Sequence, residues 1–183
     1  LGFKKEELAE YTQESYGEEI RKILRTVKRH AEKYHTEIPV VAAGGIYDSS
    51  DVRRVMELGV DGVQVATRFV TTEECDADIR YKQAYVNAAK EDIMVVKSPV
   101  GMPGRAILNP LMEQVAKGIQ IPHSPCHRCL AKCNPADIPY CITDGLINAV
   151  KGNIEKGLLF CGAKAWKAEK IDTVRDAIQE LFA

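Results

Sequence analysis

The 183-residue sequence predicts an α/β fold, arranged either as a barrel or as a doubly wound sheet. Two observations lead to this class. Amphipathic helical patterns alternate with short apolar runs along the first part of the chain, which is the order of βαβ units. The apolar runs are continuous rather than alternating, as in parallel strands that are covered on both faces.

The first predicted helix spans Glu18–Tyr34. Its apolar residues recur at helical spacing on one face, and lysine, arginine and glutamate occupy the opposite face. Pro39 then precedes the short apolar run Val40–Ala43, which ends at Gly44 and Gly45. We expect this run to be a buried strand.

A second helix is predicted over Ser49–Leu58, directly after the first strand. Asp48 stands at the N-cap position, and Asp51 follows three residues later as a variant of the capping box. Gly59 ends the helix, because glycine is the usual residue beyond a helix C-terminus. The next strand is predicted at Gly62–Ala66. The residues expected to face inward from this helix are Val52, Val55 and Met56.

A further helix is predicted over Asp78–Ala89, and a third strand over Ile93–Val96. We expect this strand to continue the parallel arrangement of the first two. The pattern changes after about Val115. Residues 119–145 hold four prolines and four cysteines and show no clean periodicity.

Two more helices are predicted in the last part of the chain, at Asp144–Val150 and at Asp172–Phe182. The second has Asp172 as a candidate N-cap and an apolar stripe along one face. We therefore divide the sequence into an α/β region, 1–115, and an appended, mostly helical region that contains cysteines, 116–183.

Composition and charge exclude several classes of function. The chain has 25 lysines and arginines against 26 aspartates and glutamates, a formal net charge of -1, so its bulk charge favours neither nucleic acid nor an anionic membrane surface. No apolar run is long enough to span a bilayer. The six cysteines lack a secretory context, which predicts a cytoplasmic protein with reduced thiols.

Small residues end both of the first two predicted strands, namely Gly44-Gly45 and Ala66-Thr67. In parallel α/β folds, ligands lie beyond the carboxyl ends of the strands. Glycine allows close approach of the backbone to a ligand, and a helix N-terminus that follows a strand offers N–H groups to phosphate. A tight turn that needs glycine is the alternative; two adjacent strands ending this way favour phosphate.

Three segments carry a resemblance to a known family. The segment "PVVAAGGIYDSSDVRRVMELGVDGVQVATRFVTTEEC" resembles the FMN-phosphate segment of the nitronate monooxygenase family, which includes the flavin-type enoyl-acyl-carrier-protein reductase. The segments "SPVGMPGRAI" and "KGNIEKGLLFCGAKA" are similar to later family segments in the same order. The resemblance implies a TIM (β/α)8 barrel that binds FMN. The cofactor-binding residues that it implies are Ala43, Gly44, Gly45, Gln64, Ala66, Thr67, Phe160 and Gly162.

The same resemblance implies that this chain is the C-terminal part of a longer enzyme. A TIM barrel takes about 250 residues, and only three good strands are predicted here. The family's catalytic histidine belongs to a glycine-rich stretch expected before Leu1. We therefore assign no catalytic residue and expect the isolated chain to be inactive. The histidines that we do not expect to replace it are His30, His35, His123 and His127.

The full enzyme is expected to be an FMN-dependent oxidoreductase acting on a small molecule. Its chemistry would be either the oxidation of a nitronate by dioxygen or the reduction of an enoyl thioester with NAD(P)H as reductant. An open section of a barrel leaves sheet edges uncovered, and such edges promote association. We therefore expect pairing with the missing N-terminal part or with a second copy of the chain.

The cysteine-containing segment "SPCHRCLAKCNPADIPYC" is a candidate metal site. Its thiols have the spacing C-x2-C-x3-C-x7-C, which suits tetrahedral zinc or an iron–sulfur cluster. The second and third could lie on one helical turn. The alternative is a set of reduced thiols. The candidate ligands are Cys126, Cys129, Cys133 and Cys141.

Two further functional hypotheses remain open. One is a non-catalytic module in which the cysteines hold zinc and the α/β part is a scaffold. The other is a different phosphate-binding barrel enzyme, for example one that acts on sugar phosphates. A flavin spectrum would favour the oxidoreductase, and zinc without flavin would favour the module.

Overall fold

A computed structural model describes residues 12–101, 103–131 and 133–183, and it confirms the mixed α/β class. These described residues contain four strands: β1 (Val41–Ala43), β2 (Gly62–Gln64), β3 (Ile93–Lys97) and β4 (Pro103–Ile107). The α-helices are α1 (Gln13–Tyr34), α2 (Ser49–Met56), α3 (Thr67–Val70), α4 (Ile79–Val86), α5 (Pro110–Ala116), α6 (Ile142–Val150) and α7 (Val174–Leu181). The same part of the chain also holds three short 3₁₀ helices, at Lys90–Asp92, Ile154–Lys156 and Ala165–Lys167.

Strands β1 and β2 form a parallel pair joined by helix α2, as predicted. Ala42 lies opposite Val63, and Ala43 lies opposite Gln64. A parallel pair needs a crossover connection, and α2 supplies it by packing Val52 and Val55 against the strands. Both strand ends therefore point to the same edge of the sheet.

The third predicted strand exists, but its expected parallel arrangement is wrong. Strand β3 pairs antiparallel with β4, from Ile93 opposite Ile107 to Lys97 opposite Pro103, in a separate two-stranded sheet. The connection is a tight turn in which the N–H of Gly101 donates to the carbonyl of Ser98. A connection this short permits a hairpin but not a crossover. The described residues therefore contain two two-stranded sheets and no closed barrel.

Three apolar clusters form the core. One lies between α1, the β1/β2 pair, α2 and α7, and it includes the buried Val55 and Leu181. A second surrounds the fully buried Tyr85 and Leu159. A third joins the β3/β4 hairpin to α5 through Met112 and Leu158. All three clusters unite residues from both sides of position 115, and the division of the chain there stays a prediction.

Several predicted helix ends differ from the observed ones. Helix α1 begins at Gln13 because Thr12 caps it, its side chain accepting the N–H of Ser15. Helix α7 begins at Val174, and its N-cap is Thr173 rather than Asp172. Met56, which was expected to face inward, is 40% exposed. Near a helix end, capping and side-chain exposure depend on contacts with other elements, and the spacing of apolar residues along the sequence does not predict those contacts.

Within the described part of residues 117–141 there is no α-helix or strand, and the helical turn that could have held Cys129 and Cys133 is not observed there. The segment instead folds back on itself. The N–H of Ile121 donates to the carbonyl of Pro139 over 2.8 Å, and the Gln120 side chain donates to two carbonyls nearby. No helix among the described residues has the length and apolarity needed to cross a membrane.

Candidate functional site

One cavity of about 370 Å³ lies at the carboxyl ends of β1 and β2. This volume falls within the ~300–1,000 Å³ typical of small-molecule sites. Segments far apart in sequence form its walls: the β1 end, the β2 end and the stretch after residue 159. The structure brings all eight residues of the predicted cofactor set to this cavity: Ala43, Gly44, Gly45, Gln64, Ala66, Thr67, Phe160 and Gly162.

The glycine pair after β1 is required by its backbone. Gly44 has φ +97° and Gly45 has φ +68°, in the left-handed region that side chains disfavour. A Cβ atom at either position would meet nothing within 4 Å, so packing does not exclude a side chain there. Among the turn and loop hydrogen bonds of the described residues, none is donated to a backbone carbonyl by the N–H of Gly44 or of Gly45. The turn therefore presents open backbone to the cavity.

The end of β2 leads directly into the four-residue helix α3. Its N-cap is Ala66, which has no side chain able to satisfy the first N–H groups. Helix α2 differs, because Asp48 caps it and accepts the N–H of Asp51 over 3.1 Å. The expectation that a helix N-terminus offers N–H groups to an anion therefore suits α3 better than α2.

The third wall, residues 160–164, lies beside strand β4 and includes residues that the sequence left unassigned. Phe160 bridges to Ala106, and its carbonyl accepts the hydroxyl of the buried Tyr85 over 2.5 Å. The N–H of Gly162 donates to Thr67 Oγ1 over 2.9 Å, which joins this wall to the end of β2. The cavity residues missing from the predicted set are Ile46, Tyr47, Val70, Cys161, Ala163 and Lys164.

Two lysines neutralise the carboxylates at the start of α2. Lys164 forms an ion pair with Asp51, and Lys167 forms one with Asp48. Burial alone would raise the pKa of Asp48, but hydrogen bonds from Lys167, Ser50 and a backbone N–H hold that pKa well below its usual value. Both carboxylates are thus paired, and an anion near Gly45 would not face an unpaired negative charge.

A buried ion pair fastens α3 to α7 beside the cavity. Arg68 donates to both carboxylate oxygens of Asp172, over 3.1 and 2.8 Å, and their side chains are 5% and 6% exposed. The guanidinium also contacts Glu180, whose side chain is 51% exposed. Asp172 therefore pairs with Arg68 instead of capping α7. The first residues of α3 are held in place by this contact.

Cys161 lines the cavity and is only partly exposed. Burial raises its pKa to about 12, against a weaker opposing effect from Arg105. The thiol is therefore neutral at physiological pH and is a poor nucleophile.

We expect iodoacetamide to alkylate Cys161 slowly in the native, cofactor-free chain at pH 8. The thiolate is the reactive form, and a pKa near 12 leaves little of it until the pH approaches that value. Peptide mass spectrometry gives the rate, and the same peptide in the urea-unfolded chain is the control. Equal rates in the native and unfolded chains would contradict the prediction.

The remaining predicted residues lie away from this cavity. His30 belongs to α1 and His35 follows it, and neither lines the cavity. His123 and Cys141 line a different cavity of about 590 Å³ beside α5 and α6. Within the described ranges, no group of three or more histidine, cysteine or acidic side chains is already arranged to hold a metal ion. A metal at the four cysteines stays a prediction.

Comparison with known proteins gives a consistent result. The nitronate monooxygenase family model matches residues 9–183. A probable nitronate monooxygenase of Staphylococcus haemolyticus is 40% identical over 79 residues, which is 43% of this chain and 22% of that protein. A probable nitronate monooxygenase of Staphylococcus aureus is 36% identical over 80 residues, again 22% of that protein.

Two solved structures resemble the fold. FabK from Thermotoga maritima matches with a TM-score of 0.62 and 27% identity, over 80% of this chain and 43% of that one. The nitroalkane oxidase of Streptomyces ansochromogenes matches with a TM-score of 0.57 and 23% identity, over 81% of this chain and 40% of that one. The chain thus spans about a fifth of these curated relatives and less than half of either solved structure.

Proposed function

Because the chain belongs to the nitronate monooxygenase family, we propose that it carries the FMN-phosphate side of a flavin-dependent oxidoreductase. One observation supports this most directly. Two neighbouring parallel strands end at the same cavity, one in a pair of left-handed glycines and the other in a helix without a side-chain cap. Short extra helices and the loops of adjacent strands are common phosphate sites in barrel enzymes.

The proposed roles of the cavity residues follow from their chemistry. The N–H groups of Gly44, Gly45, Ala66 and Thr67 are suited to donate to phosphate oxygens, since backbone donors at such turns favour anions. Thr67 is held in place by the N–H of Gly162. Phe160 offers an apolar surface, and the Gln64 amide offers both a donor and an acceptor to a polar ring edge.

Bound FMN would supply the electron-transfer chemistry, and the protein would bind and orient it. The described residues that line the cavity include no histidine to move a proton. Cys161 stays neutral there, so it does not serve as a base either. We propose that the catalytic base belongs to a part of the enzyme outside this chain and that the isolated chain has no turnover.

We propose a small-molecule substrate, either a nitronate or an enoyl thioester reduced with NAD(P)H. The similarity to probable nitronate monooxygenases favours the nitronate. The similarity to FabK is the reason to test the enoyl thioester as well. We also propose that β1 and β2 belong to the C-terminal part of a (β/α)8 barrel. Strand edges left open by such a part would favour association in the cytoplasm with the rest of the barrel or with a second copy.

The test is reconstitution of the purified chain with FMN. Quenching of flavin fluorescence and a shifted visible flavin spectrum are expected, with weaker binding than in a complete enzyme because part of the flavin's surroundings is absent. Free riboflavin is the matched control, since it lacks the phosphate and should bind more weakly. Equal binding of the two ligands would contradict a phosphate site at this cavity.

The reaction is tested separately in the complete enzyme that contains this chain. Anaerobic mixing with a nitronate, or with NAD(P)H and an enoyl thioester, reports which compound reduces or reoxidises the flavin. Robust turnover by the isolated chain would overturn the proposal that its base lies elsewhere.

A further inference from the structure

The four-cysteine segment, residues 124–141, has no role in the flavin proposal. Its first two cysteines lie in the sequence C-H-R-C-L-A, and two more cysteines follow. All six cysteines of the chain are free thiols. No disulfide therefore stabilises the segment. Cys126 and Cys129 are exposed, and Cys133 and Cys141 are partly exposed, so the thiols are accessible to a ligand from solution.

Apolar packing does not explain how the cysteine-containing loop keeps a defined conformation. Every residue from 124 to 131 is exposed, including the large apolar side chain of Leu130. Fixing the backbone of one residue costs about 1–2 kcal/mol of conformational entropy, and this stretch offers little apolar burial to offset that cost. A loop of this kind requires another stabilising interaction if it is to keep one shape.

Hydrogen bonds close the base of the loop and bring its ends together. Ser124 donates its N–H and its hydroxyl to the two carboxylate oxygens of Asp144, over 2.9 and 2.7 Å. His127 contacts the same carboxylate over 2.8 Å. Because Asp144 lies in the first turn of α6 and Cys141 is the N-cap of that helix, the early cysteines are held near the fourth one.

Two donors point at cysteine sulfurs. The N–H of Arg128 donates to Cys126 Sγ over 3.4 Å, and the hydroxyl of Thr143 donates to Cys129 Sγ over 3.1 Å. Hydrogen bonds from neighbouring groups orient the side chains that ligate a metal. The segment thus combines four thiols at metal-binding spacing with donors that orient two of the sulfurs.

We propose that Cys126, Cys129, Cys133 and Cys141 bind a thiophilic metal centre, either one zinc ion or an iron–sulfur cluster. Four thiolates complete a closed tetrahedral zinc site and equally satisfy a cluster with four cysteine ligands. The sulfurs do not yet surround one point, so binding tightens the loop until they reach bonding distance, about 2.3 Å for zinc. The centre takes the place of the missing apolar core in this loop.

The experiment is metal and sulfide analysis of the 183-residue chain purified without chelators and without oxygen. One zinc per chain, or iron and sulfide with a broad visible absorption, is expected; the two results identify the centre. The proposal is overturned if the purified chain contains neither zinc nor an iron–sulfur cluster after expression with both metals supplied. The variant Cys133→Ser should reduce the metal content to background, whereas Cys75→Ser, which lies outside the segment, should retain it.

Two further measurements do not depend on the folding of a ligand variant. Titration of the wild-type chain with p-hydroxymercuribenzoate should release the metal as four thiols react. The variant Thr143→Val removes only the hydroxyl that donates to Cys129 and should weaken metal affinity about 10–100-fold. Metal that stays bound after all thiols have reacted, or metal retained in full by Cys133→Ser, would overturn the assignment to these cysteines.

Discussion

Replacing Gly45 with valine is expected to weaken FMN binding at least about 100-fold, or about 2.7 kcal/mol, in the enzyme that contains this chain. The φ of +68° at Gly45 lies where a β-branched residue is strained, so the turn must change shape and its N–H group must move. A side chain would also project from the open backbone that faces the cavity. Flavin fluorescence titration measures the loss.

Gly118→Val provides the matched control for this substitution. Gly118 also has a positive φ, +77°, and a Cβ there would likewise meet nothing within 4 Å, but it follows α5 and does not line the cavity. Both variants should lose about 1–3 kcal/mol of folding free energy through backbone strain. Only Gly45→Val should lose flavin affinity. Unchanged affinity in Gly45→Val would remove the Gly44-Gly45 turn from the phosphate site.

Replacing Arg68 with methionine is expected to lower the free energy of unfolding by about 3–5 kcal/mol. The substitution leaves the carboxylate of Asp172, 6% exposed, without its cationic partner. Loss of a partner costs far more than loss of a whole buried pair, because the remaining charge stays desolvated. Urea unfolding at pH 7 measures the change.

Two variants distinguish this mechanism from a loss of general packing. Glu180→Gln removes the exposed partner of the same arginine and should cost at most about 1 kcal/mol. Adding Asp172→Leu to Arg68→Met removes the unpaired charge and should recover much of the lost stability. A double variant less stable than Arg68→Met would contradict the explanation.

The pH dependence of the Arg68 contact has a defined sign. Hydrogen bonding and charge from Arg68 lower the pKa of Asp172 below its ordinary 3.8. The folded state then favours the ionised carboxylate, so the contribution is complete above the unfolded-state pKa and is lost as the pH falls through the lower folded-state value. In Arg68→Met, acid unfolding should begin at a higher pH.

The strand-end glycines could be predicted from sequence because their requirement is local. A left-handed φ needs glycine wherever the rest of the chain runs, and a continuous apolar run before it marks a strand end. The prediction of Gly44 and Gly45 at one edge with Ala66 and Thr67 needed only the parallel pairing of two strands, and that pairing was confirmed.

The hairpin of β3 and β4 could not be predicted in this way. Strand β4 has the sequence Pro-Gly-Arg-Ala-Ile, and glycine and proline are depleted in strands. Its place is decided by tertiary packing: a Cβ atom on Gly104 would lie 2.5 Å from Phe160 Cε1, so only glycine admits that ring. A local pattern contains no information about a residue that is distant in sequence.

Charged residues were misplaced for the same reason. Asp172 stands where a helix cap is expected, yet its partner is an arginine 104 positions earlier in the chain. Lys164 and Lys167, to which the sequence analysis assigned no role, pair with the carboxylates at the start of α2. Such pairings depend on the final arrangement of elements, which the spacing of charges along the sequence does not determine.

The hydrogen bond between Gly162 and Thr67 also sets a time order for the newly made protein. These residues are 95 positions apart, so at ~5–20 residues per second a ribosome needs about 5–20 s to synthesise the second wall of the cavity after the first. During that interval the ends of β1 and β2 are already synthesised but lack the wall formed by Phe160 and Gly162. The cavity is therefore completed only once residue 162 has been synthesised, and a ligand that bridges both walls would be captured only after that point.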